Sequence, residues 1–168
     1  AIAVKELVKV GLLIGSRKVA DGMAGAQGLK GNGDQVGKMV EKGKGQFAGP
    51  EIQGKTLGVV GLGAIGVLVA NAAVALGMKV LGYDPYLGVK NAWGLSPSVT
   101  HVGSLDALFA QSDYITLHIP FTPETKDTVN AESIAKMKNG VRILNFARGA
   151  LVNSQDMVAA LEEGKVAS

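Results

Sequence analysis

The 168-residue sequence contains no cysteine. Disulfides, thiolate metal sites and cysteine nucleophiles are thereby excluded, and nothing asks for an oxidising compartment, so a cytoplasmic setting is expected. Histidine is almost absent too: His101 and His118 are far apart in sequence and offer little to a metal ion. Aromatic residues make up 5% of the chain, so any core must be aliphatic. Charge is sparse at 18%, with a net +3 and an isoelectric point near 9.1. No block of Lys and Arg lies among aromatic residues, so a nucleic-acid partner is not expected. The mild positive field suits an anionic small molecule instead.

Membrane features are also lacking. Lys5, Glu6 and Lys9 interrupt the first apolar segment, so it is not expected to act as a signal peptide. The longest uncharged run, Thr56 to Met78, has the length of a spanning helix, for which about 20 residues are needed. Five glycines break it, however, and its first part, TLGVVG, has the pattern of a strand. No membrane association is expected.

What the chain has in excess is glycine, 24 residues with no collagen-like period. Hydrophobic residues reach 47% and mean hydropathy is +0.24, so the chain has the material for one folded domain. Residues 1–20 carry Val4, Leu7, Val8, Leu12 and Val19 at helical spacing and are expected to form a leading amphipathic helix. Gly11 and Gly15 should weaken it, each by up to about 1 kcal/mol relative to alanine. Residues 21–54 form a glycine-rich connection, expected as a loop with a short helix around Gln35 to Glu41.

From residue 55 to 168 the punctuation becomes regular. Strands are expected at TLGVVG, MKVLGYD, DYITLHI and VRILNF, and KVAS begins one more. Helices are expected from Ala64 to Leu76, closed by Gly77; after Ser104; from Asn130 to Met137; and after Ser154, ended by Gly164. The stretch PYLGVKNAWGLSPSV is expected as a loop, with Trp93 packed beneath it. Apolar strands alternating with helices imply a doubly wound α/β domain, a parallel sheet covered on both faces. Its ligand should lie outside the carboxyl ends of the strands.

GVVGLGAIG places Gly61, Gly63 and Gly66 in the pattern G-x-G-x-x-G. Alone the triplet is weak, but here it follows a strand and opens a helix, the context that a dinucleotide site requires. Gly61 permits the turn, Gly63 lets a pyrophosphate approach the backbone, and Gly66 lets helix and sheet close up. The amides of Ala64 and Ile65 sit at the positive end of the helix. Asp84 ends the next strand 18 residues after Gly66, near the spacing for an acid on the adenosine ribose. No arginine follows Asp84 to receive a 2′-phosphate, so NAD is expected over NADP.

Four segments in order, GKTLGVVGLGAIG, GYDPY, SDYITLHIPFTPETK and NFARGALVN, resemble the NAD-binding domain of the D-2-hydroxyacid dehydrogenases. Within that family, the branch acting on 3-phosphoglycerate, in serine biosynthesis, is the nearest in look. The resemblance covers essentially the whole chain. It implies a Rossmann-type domain that binds NAD through Gly61, Gly63, Ala64, Ile65 and Gly66, with Asp84 on the ribose. It places Ile119 and Pro120 beneath the adenine end, with Thr125 closing that side, and runs Phe146, Ala147 and Arg148 beside the nicotinamide. Arg148 then takes the catalytic role of binding the carboxylate and polarising the carbonyl of a 2-hydroxy or 2-keto acid. A guanidinium suits that work, since it grips a carboxylate bidentately and stabilises charge developing on the carbonyl oxygen.

The same resemblance implies parts that these residues do not hold. The family's glutamate and acid/base histidine are expected after Ser168, and its substrate domain flanks the cofactor domain. The 168 residues are therefore expected to be the cofactor domain alone, binding NAD but turning nothing over. Where the family has arginine or histidine, Ala64 leaves only backbone donors to the pyrophosphate. The leading region helps build a dimer in the family, so a homodimer is expected. The alternative is a non-catalytic, NAD-sensing module resembling the corepressors built on this fold; the sequence following Ser168 would discriminate the two.

Overall fold

A computed structural model describes all 168 residues. A five-stranded, wholly parallel sheet forms its centre, built from β1 (Thr56–Val60), β2 (Lys79–Tyr83), β3 (Val99–His101), β4 (Tyr114–Leu117) and β5 (Arg142–Asn145). The spatial order is β3-β2-β1-β4-β5. Chain direction across the sheet therefore reverses between β1 and β4, and the crevice beyond their carboxyl ends is where a doubly wound sheet holds its ligand.

Side chains alternate across the strands, so each strand feeds two cores. Leu57, Val59, Val80 and Leu144 face one, with α1 (Ile2–Arg17) and α4 (Ala64–Ala75) lying over them. Val60, Leu81, Ile115 and Leu117 face the other, covered by α6 (Leu105–Gln111), α7 (Ala131–Ala135) and α8 (Ser154–Glu162). Phe109 and Tyr114 are the only aromatic side chains fully buried. Alanine lets α4 sit close to the sheet, with Ala70 and Ala73 buried. Gly77 ends α4 at φ 81°, where its N–H bonds Val74 O while Met78 N–H bonds Ala73 O. That double closure satisfies the last carbonyls of the helix and needs a left-handed residue.

The leading helix stops earlier than the pattern predicts, at Arg17, where Lys18 turns left-handed at φ 40°. Its inner face is Val8, Leu12 and Ser16, whereas Leu7 and Val19 stay largely exposed. Burying Val8 and Leu12 is worth about 1.5–3 kcal/mol each. Glycine does not undo this helix, because Gly11 lies where a side chain would collide with β5. The connection is also more helical than expected: α2 (Val19–Gln27) forms inside the stretch expected as loop, followed by α3 (Val36–Gly43) where a short helix was expected. Gly25 in α2 leaves room for the Phe47 ring, a tertiary reason that local propensity does not carry.

Three further expectations are corrected. PYLGVKNAWGLSPSV is not simply loop but holds α5 (Val89–Gly94) and leads into β3. Trp93 does not pack beneath it; the indole is 87% exposed, while Leu87 and Leu95 take the inward positions against the core. The α5 end is pinned from α4, since Asn71 Nδ2 donates to Gly94 O and Asn71 Oδ1 accepts from Ser96 N–H. The cap of α8 is Asn153, whose Oδ1 accepts from Asp156 N–H, and Ser154 is already helical. Asn130 and Ser104 do cap α7 and α6, Asn130 through a reciprocal box with Ser133. The long uncharged run divides into β1, the glycine turn and α4, and no helix is long and apolar enough to cross a membrane.

Candidate functional site: a dinucleotide cleft

β1 ends at Val60 and the chain turns at Gly61, whose φ of 93° favours glycine. The turn passes so close to β4 that a Cβ on Gly61 would lie 2.5 Å from the His118 carbonyl oxygen. A Cβ on Gly66 would in turn run into the Gly61 carbonyl, so α4 could not begin where it does. Gly63 is different. Its backbone is extended, and a Cβ there would meet no protein atom within 4 Å. Neither torsion nor packing requires the missing side chain at Gly63, and the space in front of it is open.

Gly63 is also the N-cap of α4 and, having no side chain, caps nothing. The first-turn amides, those of Ala64 and Ile65 among them, lack intrahelical partners and present the positive end of the helix dipole. Asp84 stands beside them, at the end of β2. One carboxylate oxygen accepts from Leu62 N–H at 2.8 Å and the other from Tyr86 N–H at 2.8 Å. The carboxylate is thus oriented by the glycine turn itself, with lone pairs left for a diol.

On the other side of the switch point lies a cleft of about 820 Å³, the size range of small-molecule sites. It brings together Ile65 of α4, His118, Ile119 and Pro120 after β4, and Phe146, Ala147 and Arg148 after β5. Val4, on the leading helix, forms part of its wall. Arg148 is exposed in this cleft and makes no salt bridge. Thr125 is not among the lining residues. Its hydroxyl donates to Pro120 O at 2.8 Å and accepts from Thr122 N–H at 2.7 Å, which folds the loop behind Pro120.

Two cleft features escaped sequence reasoning. Asn145 clasps the turn that carries Arg148: its Oδ1 accepts from Ala147 N–H and its Nδ2 donates to Arg148 O. The signal was present, because asparagine at a strand end closes such turns. Val4 gave none, since its place in the cleft depends on how α1 crosses the sheet. His118 is held by Thr116, with 2.8 Å between Oγ1 and Nε2. Burial pushes its pKa down to about 4, so it is neutral at pH 7 and is no proton donor there. His101 lies exposed on the edge strand β3, away from these groups.

A doubly wound sheet, a glycine turn with one open position, an oriented acid at the next strand and a cationic cleft across the switch point define a dinucleotide-binding domain. The family described as D-isomer specific 2-hydroxyacid dehydrogenase, NAD binding domain, matches residues 23–168. The chain belongs to that family, as an NAD-binding domain. It is 47% identical over 121 residues to a D-3-phosphoglycerate dehydrogenase of Synechocystis, covering 72% of this chain and 21% of that protein. It is 51% identical over 118 residues to a hydroxypyruvate reductase of Blautia hydrogenotrophica, covering 70% and 35%. Among solved structures, the D-lactate dehydrogenase of Salmonella superposes with a TM-score of 0.80 at 33% identity, over 98% of this chain and 45% of that one. The apo D-mandelate dehydrogenase of Rhodotorula graminis gives 0.82 at 30%, over 99% and 47%. The chain thus spans between a fifth and about a third of the length of these curated relatives, and under half of the solved ones.

Proposed function

We propose that these residues are the cofactor half of an enzyme that moves a hydride between NAD(H) and a 2-hydroxy or 2-keto acid, with 3-phosphoglycerate, in serine biosynthesis, as the substrate. The observation that carries the reaction class is the cleft that joins Ile65, at the positive end of α4, to Arg148, an unpaired guanidinium. A dinucleotide laid across that edge has its diphosphate at the first and its reactive end near the second. Relatives named as D-3-phosphoglycerate dehydrogenases and as hydroxypyruvate reductases both support the acid class, and the former favour the substrate named here.

Each residue then has a task. The Gly61, Gly63 and Gly66 turn leaves space, and the amides of Ala64 and Ile65 bind the diphosphate. Asp84 accepts from the ribose hydroxyls and repels a 2′-phosphate. Ile119 and Pro120 give the cofactor an apolar floor within the cleft, and Thr125 holds the Pro120 loop in shape. Phe146 and Ala147 flank the nicotinamide, which when bound supplies the hydride. Arg148 grips the carboxylate and stabilises negative charge as it grows on the carbonyl oxygen. The chain has no protonated histidine in the cleft to give that oxygen a proton, because His118 is neutral. The acid/base pair belongs to the rest of the enzyme in this reading, and the 168 residues bind NAD without turnover.

A homodimer belongs to the same reading. Leu7, Val10, Leu13, Val19, Met23 and Val40, on α1 to α3, are exposed apolar side chains, and a second copy would cover them. Light scattering coupled to gel filtration checks this.

The test of the function is direct. The chain should bind NADH, seen as a change in nicotinamide fluorescence, and leave 3-phosphohydroxypyruvate unreduced. The whole enzyme should oxidise 3-phosphoglycerate with NAD, and Arg148→Ala in it should lower kcat/KM by about 10²- to 10³-fold, the loss typical of a group that stabilises developing charge. A whole enzyme that reduces hydroxypyruvate and ignores the phosphorylated acid refutes the substrate but not the class.

A further inference from the structure

We infer that Gly11, on the leading helix, is a positioning residue for Arg148: its missing side chain seats the Phe146 ring, and through Phe146 the turn that carries the guanidinium. The inference rests on the dinucleotide reading of the cleft.

A glycine in the middle of α1 is costly for a helix, so it needs a reason outside the helix. The reason is the crossing of α1 over β5. A Cβ on Gly11 would lie 2.8 Å from Leu144 Cδ2 and 2.9 Å from Phe146 Cε2, closer than carbon atoms approach. Gly15, one turn on, does not share it; a Cβ there would meet only Ser168 Oγ, at an ordinary 3.4 Å.

The helix cannot retreat to make room. Arg142 Nε, from β5, donates to Gly15 O at 2.8 Å, and Ser168 Oγ donates to the same oxygen at 3.1 Å. The hydroxyls of Ser16 and Tyr114 are 2.6 Å apart, both buried. Val8 and Leu12, on either side of Gly11, are buried in the core. Leu144 is in the same core, so a methyl group at position 11 displaces the partner that has freedom. That partner is Phe146, 40% exposed at the end of its strand.

Phe146 is a wall of the cleft and also lines the groove along α1. It sits inside the Asn145 clasp, between Asn145 and the two backbone groups, Ala147 N–H and Arg148 O, that the Asn145 side chain holds. A push on the ring is therefore a push on the turn that aims Arg148. The adenosine side of the groove, at Asp84 and the glycine turn, shares none of these contacts.

The experiment compares NADH with ADP as probes on the 168-residue chain. Gly11→Ala should fold, since alanine is the better helix former, and its thermal melting checks that. It should bind NADH about tenfold more weakly, the loss expected when one well-placed contact goes, and bind ADP as the unaltered chain does. In a Phe146→Ala background, where the ring is gone, adding Gly11→Ala should change NADH binding no further. Unchanged NADH affinity, an equal loss for ADP, or a loss that persists without the Phe146 ring each overturns the inference. An unaltered chain that binds neither ADP nor NADH overturns the cofactor reading itself, and this inference with it.

Discussion

The side chain of Asn145 closes on the backbone of Arg148, donating from Nδ2 to the Arg148 carbonyl at 2.9 Å while its Oδ1 accepts from Ala147 N–H at 3.0 Å. The guanidinium itself is exposed and free, so its aim is set from the backbone side. Asn145→Ala removes both bonds at a partly exposed site and should cost about 1–2 kcal/mol by urea unfolding, where two modest hydrogen bonds are lost but water replaces them. NADH affinity should fall several-fold at the same time. Asn145→Asp keeps the acceptor and loses the donor, so it should fall between the two. Equal NADH binding by all three chains would show that the clasp has no bearing on the cleft.

The glycine turn separates ligand space from packing space, and two substitutions one helical turn apart test it. A Cβ at Gly63 meets nothing within 4 Å, whereas one at Gly66 runs into the Gly61 carbonyl. Gly63→Ala should therefore leave stability within about 0.5 kcal/mol, as for other surface changes, and weaken NADH strongly. Gly66→Ala should lose at least about 2 kcal/mol of stability, because a backbone carbonyl has to move. Calorimetry and NADH titration on the pair check both halves. The reverse pattern, an unfolded Gly63→Ala beside a stable Gly66→Ala, would falsify this division of labour.

Asp84 carries the cofactor preference in the proposed site. Its two oxygens are fixed by Leu62 and Tyr86 amides. A carboxylate there repels a 2′-phosphate across a short distance, so the unaltered chain should bind NADH at least about tenfold more tightly than NADPH. Asp84→Asn keeps an acceptor for one amide and drops the charge, and it should narrow that ratio chiefly by raising NADPH affinity. Paired titrations with the two reduced cofactors measure it, and a ratio near one in the unaltered chain removes Asp84 as the discriminator.

Sequence reasoning reached the features that rest on local chemistry. Gly61, Gly77 and Gly164 were legible because each stands at a left-handed turn after a periodic run, and Ser104 and Asn130 because caps have a short-range signature. Asp84 was legible from its spacing to the glycine turn. What stayed hidden depends on tertiary contact. Gly11 looked like a helix breaker and Gly25 like part of a loop, yet each makes room for an aromatic ring distant in sequence, Phe146 and Phe47. Trp93 was expected beneath its loop because tryptophan is usually well buried, but Leu87 and Leu95, on either side of the short α5, turn inward instead. Arg142, at the start of β5, carried no signal of its partners, yet it ties β5 to Gly15 and lies over the Tyr114 ring, 5.8 Å from its centroid.

His118 makes the stability of the domain depend on pH. Burial against the cleft wall lowers its pKa from 6.5 to about 4, because the low-dielectric surroundings disfavour the imidazolium. Between those values the unfolded chain binds a proton that the folded chain refuses. The contribution is therefore complete above pH 6.5, declines as pH falls through the window, and levels off below about 4. Its size is on the order of 3 kcal/mol. Asp113 does not blur the measurement. Burial raises its carboxyl, but the Lys138 bond, the Thr56 amide and the nearby Lys55 outweigh burial and lower it below 3.8, so its loss comes at more acid pH. Urea unfolding at several pH values between 4 and 6.5 should show the slope in the unaltered chain and a shallower one in His118→Gln, which keeps a polar group near Thr116 but cannot titrate. An undiminished slope in His118→Gln would mean that another group takes up the proton, and that the imidazole is not held neutral by the wall of the cleft.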